Sequence, residues 1–173
     1  MVFAGTLQIG RHRFFRDLAA SLSAAAWAHT TWLYHRISRS SRDTCLSVHH
    51  TSSAVNLHND QGMVAFDIES VLPGHQKRNL EDIRYPFVLD RTGRIWEGRA
   101  SDFTGAHASS KNDENTGVMV LGNVEDQQPS DHQVPALPAS AITLQDHHSI
   151  PRECTHRHCD LENTLYPGRH TYP

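Results

Sequence analysis

Asp82-Ile83-Arg84-Tyr85-Pro86-Phe87-Val88-Leu89-Asp90-Arg91-Thr92-Gly93-Arg94-Ile95-Trp96-Glu97-Gly98-Arg99 is the longest patterned stretch of the chain. Residues 85–89 read as a strand, and residues 90–93 as a turn with glycine at its last position. Residues 94–97 then form the returning arm of a hairpin. Outward from this hairpin, residues 116–121 are almost wholly apolar and predict a central strand buried on both faces. Residues 45–49 predict a short strand that ends in the pair His49-His50. Val64, Ile68, Val71 and Leu72 recur at helical spacing, and Pro73-Gly74 should end that helix. Ser130-Asp131 offers a cap for a helix running toward Gln145, which Pro135 and Pro138 should break or delay. Strands alternating with helices predict an α/β fold, a single domain with a central mixed sheet flanked by helices.

The chain has 173 residues and a formal charge of −3, from 16 basic and 19 acidic side chains. Without a basic excess, binding to nucleic acid through phosphate attraction is not expected. No apolar run reaches the length of a membrane-spanning helix. Residues 1–44 read as an extension ahead of a domain at 45–173. Arg11, His12, Arg13, Phe14, Phe15 and Arg16 precede an alanine-rich stretch that ends Ala26-Trp27-Ala28, the layout of an export signal resembling the twin-arginine type. A serine- and arginine-rich linker at 35–44 follows. The alternative is an amphipathic helix packed on the domain, in a protein that stays in the cytoplasm.

Histidine is the compositional outlier, with 14 residues. It is the commonest metal ligand and titrates near neutrality, so metal chemistry is the first functional question. Four segments compete: His49-His50; Gly105-Ala106-His107-Ala108; His147-His148, read as solvated surface; and Cys154-Thr155-His156-Arg157-His158-Cys159. The last is not expected to close a structural zinc site by itself. In an extended strand Cys154, His156 and His158 share a face that Cys159 does not, and structural sites pair a knuckle with a distant second pair. With three cysteines, no disulfide framework is expected, and no Cys154–Cys159 bond.

The order of segments is itself informative: His49-His50-Thr51, the stretch 82–99, Gly105-Ala106-His107-Ala108, Asn112, Gly117, Leu121-Gly122-Asn123, and residues 158–168 ending Thr164-Leu165-Tyr166-Pro167-Gly168. Over residues 45–169 this resembles the zinc-dependent N-acetylmuramoyl-L-alanine amidases, the family that includes the peptidoglycan recognition proteins and phage amidase lysozymes. The resemblance implies a zinc cleft at one sheet face with His49 and His158 as ligands, and it puts Tyr166 at the third ligand position. It implies Tyr85 and Thr164 as catalytic residues, with His107, Asn112 and Arg99 lining the substrate cleft. The implied substrate is peptidoglycan or its muropeptides, cleaved between N-acetylmuramic acid and L-alanine by a zinc-activated water. A monomer is expected.

Four positions depart from the family pattern. Arg157 and Cys159 replace the glycine and arginine that flank the ligand histidine, and Pro86 replaces a histidine after the catalytic tyrosine. Tyr166 replaces a cysteine ligand, and a phenol ionises near pH 10 against about 8.5 for a thiol. Weakened zinc binding is therefore expected. The competing reading is a peptidoglycan-binding module whose degraded zinc site no longer catalyses.

Overall fold

The computed structural model describes residues 43–51, 58–78, 80, 82–100, 103–164 and 167–170. The expected export signal at residues 11–28 lies outside the described residues, as does Tyr166. The described elements run β1 (Cys45–His50), α1 (Gln61–Ser70), α2 (Leu72–Gln76), β2 (Phe87–Leu89), β3 (Ile95–Glu97), β4 (Asn115–Val120), α3 (Gln133–His148), β5 (Thr155–Arg157) and α4 (His158–Leu161). The five strands form one mixed sheet in the order β3-β2-β4-β1-β5. β1 lies parallel to both β4 and β5, and β2 parallel to β4; only the β2–β3 hairpin is antiparallel. This is the mixed sheet flanked by helices that the sequence predicts.

The hairpin is organised by one side chain. Asp90 is fully buried, and its Oδ1 accepts from the Thr92 N–H and hydroxyl and from the Arg94 N–H, at 2.8, 2.8 and 3.0 Å. Its Oδ2 accepts from Arg94 Nε at 2.7 Å and Trp96 Nε1 at 2.8 Å. Burial alone would raise this carboxyl; the bonds from Trp96, Thr92 and Arg94 outweigh it and hold the group below the ordinary aspartate range. Gly93 closes the turn at φ +83°, where a Cβ would be strained.

The helices depart from expectation in two places. The helix expected to run through Leu72 stops at Ser70, and α2 begins at Leu72 with Pro73 in its first turn. Proline is at home there because a first-turn N–H has no intrahelical partner to lose. The helix expected to be broken or delayed by Pro135 and Pro138 starts at Gln133 and is continuous over 16 residues. Pro135 falls in the first turn, so Pro138 alone removes a helical bond. Just upstream, Ser130 Oγ accepts from the Gln133 N–H at 3.1 Å and Gln133 Oε1 accepts from the Ser130 N–H at 3.0 Å, a reciprocal cap that secures the start.

Two cores lie on opposite faces of the sheet. Leu46 and Val48 of β1, Val118 and Val120 of β4, and Phe87 and Leu89 of β2 pack with Leu144 of α3 and Ile150. Val64 and Ile68 of α1 pack with Ile83, Tyr85, Val88, Met119 and Leu121 on the other side. Strand alternation forces this division, because successive residues of β1 and β4 point to opposite faces.

Candidate active site

β1 turns Ser47 and His49 toward the α1 face, and in the parallel register Ser47 stands beside Gly117 and His49 beside Met119. Gly117 has no side chain, and the ring of His107 occupies the space. A Cβ on Gly117 would stand 2.8 Å from Cγ and Cδ2 of that ring, and one on Gly105 closer still. His107 Nδ1 lies 3.2 Å from His49 Nε2 and 3.4 Å from Ser47 Oγ, and Ser47 Oγ lies 2.9 Å from His49 Nε2. The other nitrogen of His107, Nε2, faces the backbone carbonyl of Asn115 at 3.1 Å. His49 Nδ1 is buried with no hydrogen-bond partner.

His158 enters from the far end of the domain, as the first residue of α4 directly after β5. Its ring centroid is 4.3 Å from that of His49. Its Nε2 meets Glu162 Oε2 at 3.2 Å, one helical turn on. The Tyr85 ring lies 5.1 Å from His49 and stacks on His107 at 6.1 Å. Three histidines and a tyrosine thus share one buried pocket of the sheet face.

The electrostatics keep these rings neutral. Burial, with His107, His158 and Arg84 adding repulsion, holds His49 well below the usual histidine value. Burial pushes His107 down to about 3, against the opposing pull of the Asn115 carbonyl. Burial also lowers His158, and Glu162 only partly offsets it. Neutral imidazoles carry the lone pairs that a metal needs.

The cluster brings together His49, His158 and Tyr85 of the residues singled out in the sequence. Thr164 is half-buried in the bend after α4, and Tyr166 lies outside the described residues. The structure places the remaining three as follows. His107 is only 1% exposed, with its ring edge-on to that of His49 at 4.9 Å. Arg99 is 3% exposed, with Nε donating to the Ile83 carbonyl at 2.8 Å and Nη1 to the Thr104 carbonyl at 2.8 Å. Asn112 Oδ1 accepts from the N–H groups of His107 and Ala108, both at 2.8 Å, and its Nδ2 donates to the Ser109 carbonyl. Arg99 and Asn112 therefore build the frame around the Gly-Ala-His-Ala loop. Nor is His148 simple solvated surface: its Nδ1 lies 3.5 Å from Asp43 and its ring packs against Phe87, while His147 is exposed as expected.

Sequence reading missed Ser47, Arg84 and Glu162. Arg84 donates from Nε to the Ala106 carbonyl at 2.6 Å, and its charge adds a smaller push to the burial that lowers all three histidines. Ser47 was legible as the same-face neighbour of His49, two residues away on one strand. Glu162 was legible as an i,i+4 partner of His158 once a helix starts there. Among the described residues, no group of three His, Cys, Asp or Glu side chains is arranged to hold a metal ion. No helix among them is long and apolar enough to cross a membrane, and all three cysteines are free thiols.

Comparison with known proteins gives the family and the fold. The profile of the N-acetylmuramoyl-L-alanine amidase family matches residues 35–173. A peptidoglycan-recognition protein of Drosophila simulans is 28% identical over 124 residues, spanning 71% of this chain and 67% of that protein. An N-acetylmuramoyl-L-alanine amidase of Sus scrofa is 30% identical over 93 residues, 53% of this chain but 16% of the longer relative. Among solved structures, Drosophila peptidoglycan recognition protein SD superposes with a TM-score of 0.70 at 20% identity, covering 79% of this chain and 81% of that one. The endolysin amidase LysCS of Clostridium intestinale superposes at 0.66 and 24% identity, covering 78% and 80%. The chain belongs to the N-acetylmuramoyl-L-alanine amidase family, whose relatives here include both amidases and peptidoglycan recognition proteins.

Proposed function

We propose that this member of the family hydrolyses the amide between N-acetylmuramic acid and the L-alanine of the peptidoglycan stem peptide, with zinc held by His49 and His158. One observation carries the reading: two histidines from opposite ends of the domain stand with rings 4.3 Å apart, and His49 Nδ1 is buried without a partner. A buried unpaired lone pair costs free energy unless something engages it. A divalent ion suits that lone pair, and two neutral imidazoles are borderline-soft donors matched to zinc. The third ligand position falls to Tyr166, whose phenol ionises less readily than a thiol.

When bound, zinc supplies Lewis acidity and acidifies a coordinated water to a pKa of about 7. The chain's own groups do the rest. Burial and Arg84 keep the histidines unprotonated, so their lone pairs stay available across the neutral range. The Tyr85 ring, packed 5.1 Å from His49, positions a hydroxyl to donate to the carbonyl oxygen as negative charge develops on it. Thr164, in the bend after α4, is assigned the same task. An enzyme acting on cell-wall polymer works outside the cytoplasm, which accords with the export signal expected at residues 11–28. Mature protein recovered from cells then begins after about Ala28.

Metal content and turnover of the purified protein decide the matter. One zinc per chain, with release of stem peptide from a muramyl peptide, supports the amidase. Absence of zinc with retained muropeptide binding identifies a non-catalytic recognition module, the reading that Tyr166 favours.

A further inference from the structure

We propose that His107 and Glu162 are positioning residues that lock His49 and His158 as their Nε2–H tautomers and so turn both Nδ1 lone pairs to one point. The inference rests on the zinc reading above, but its first link is fixed by a backbone group. The Asn115 carbonyl can only accept, so the His107 nitrogen 3.1 Å from it carries the hydrogen. A neutral imidazole has one N–H, which leaves Nδ1 of His107 as an acceptor. Facing that acceptor at 3.2 Å is Nε2 of His49.

Two arrangements of His49 compete. With its hydrogen on Nδ1, His49 would set the Nε2 lone pair against the His107 lone pair and bury an N–H with no acceptor, since Nδ1 has no partner. With its hydrogen on Nε2, His49 donates toward His107 Nδ1 and Ser47 Oγ, and the Ser47 hydroxyl, 3.4 Å from His107 Nδ1, supplies a second donor there. Among the side-chain polar atoms of Ser47, His49 and His107, only the second arrangement satisfies all but one, and the one left over is the lone pair at His49 Nδ1. The relay therefore runs from the Asn115 carbonyl through His107 to His49.

His107 cannot swing away from this duty. Gly105 and Gly117 press on its ring where even a methyl would collide, and Asn112 holds its backbone N–H. On the other histidine the same task falls to a carboxylate. Glu162 Oε2 accepts from Nε2 of His158, so the hydrogen of that ring is also on Nε2. An acceptor behind a metal-binding histidine fixes its ring orientation and strengthens it as a ligand.

The test uses the full chain, with two readouts. Long-range ¹⁵N–¹H NMR of the metal-free protein reads the tautomers directly, and chelator competition reads zinc affinity. The wild type is expected to show Nε2–H for both His49 and His158. His107→Phe keeps the ring volume but cannot accept; it should scramble the His49 tautomer and weaken zinc binding roughly 10- to 100-fold. His107→Asn, whose amide oxygen falls near the position of Nδ1, should restore both. Glu162→Ala should act on His158 alone, and Glu162→Gln should recover most of the loss. An Nδ1–H tautomer for His49 in the wild type overturns the proposal without any variant, even if His107→Phe fails to fold. Unchanged zinc affinity and tautomers in His107→Phe overturn it as well. A wild type that binds no zinc refutes the metal reading instead, and the tautomers then still decide the relay.

Discussion

The two faces of one sheet have been put to different uses by the same two strands. On the α3 side, Leu46, Val48, Val118 and Val120 meet Leu144 and Ile150 in an apolar packing. On the α1 side the intervening residues are Ser47, His49, Gly117 and Met119, and the space holds a hydrogen-bonded set of rings. The first face gains its stability from buried apolar area and packing, and tolerates apolar side chains of similar volume. The second depends on the identity of each atom, because a buried polar group must find its partner. The lesson is that stability and chemistry in this domain are separable by a single step along β1.

The largest effects should fall on β1 itself. Leu46→Ala is expected to cost about 2–5 kcal/mol in urea unfolding, a large share of a domain's stability, while folded protein keeps its zinc affinity. His49→Ala should do the reverse: zinc binding and amide hydrolysis fall by more than the roughly 100-fold that outer partners command, with a smaller change in unfolding midpoint. A Leu46→Ala variant that loses metal while fully folded would break the separation.

Next in size is Tyr166→Cys. Replacing a phenol by a thiol makes the anionic ligand easier to form by about 1.5 pKa units, roughly 2 kcal/mol. Zinc affinity and turnover should both rise about tenfold or more, read by chelator competition and by release of stem peptide. Equal zinc binding by both proteins would remove Tyr166 from the ligand set.

The smallest effect sharpens the contrast through pH. His75 packs near Tyr85 on the α1 side, and burial with Arg84 lowers it to about 4. Its folded value lies below the unfolded value of about 6.5, so its contribution is fully present above pH 6.5 and is lost as pH falls toward 4. His75→Gln should flatten the decline in stability between those limits by about 1 kcal/mol, measured as urea midpoints at pH 7 and pH 4.5. An identical decline in variant and wild type would place the acid sensitivity elsewhere, with the buried histidines His49, His107 and His158 the next groups to examine.

Much of the frame was legible in the residues. The apolar run at 116–121 and the hairpin at 85–97 appear within a residue or two of expectation, as β4 and as β2–β3. Local pattern suffices there, because period-two burial and the Asp-x-x-Gly turn are properties of neighbouring residues. Proline signals misled at Pro73 and Pro138, since their cost depends on where the first turn falls and on how much a packed helix face offsets one lost bond.

The amino-acid sequence by itself determined which side chains were available: two distant histidines, a tyrosine beside a hairpin, and a second tyrosine at position 166. Only the tertiary structure decided what each one does. Arg99, Asn112 and His107 look alike as candidates in a string of letters. Burial assigns two of them to backbone carbonyls and amides and the third to the ring of His49. A residue's role in a pocket follows from which polar atoms lie within about 3 Å of it, and that distance is set by a fold that joins β1, the segment 105–117 leading into β4, and α4 from three remote parts of the chain.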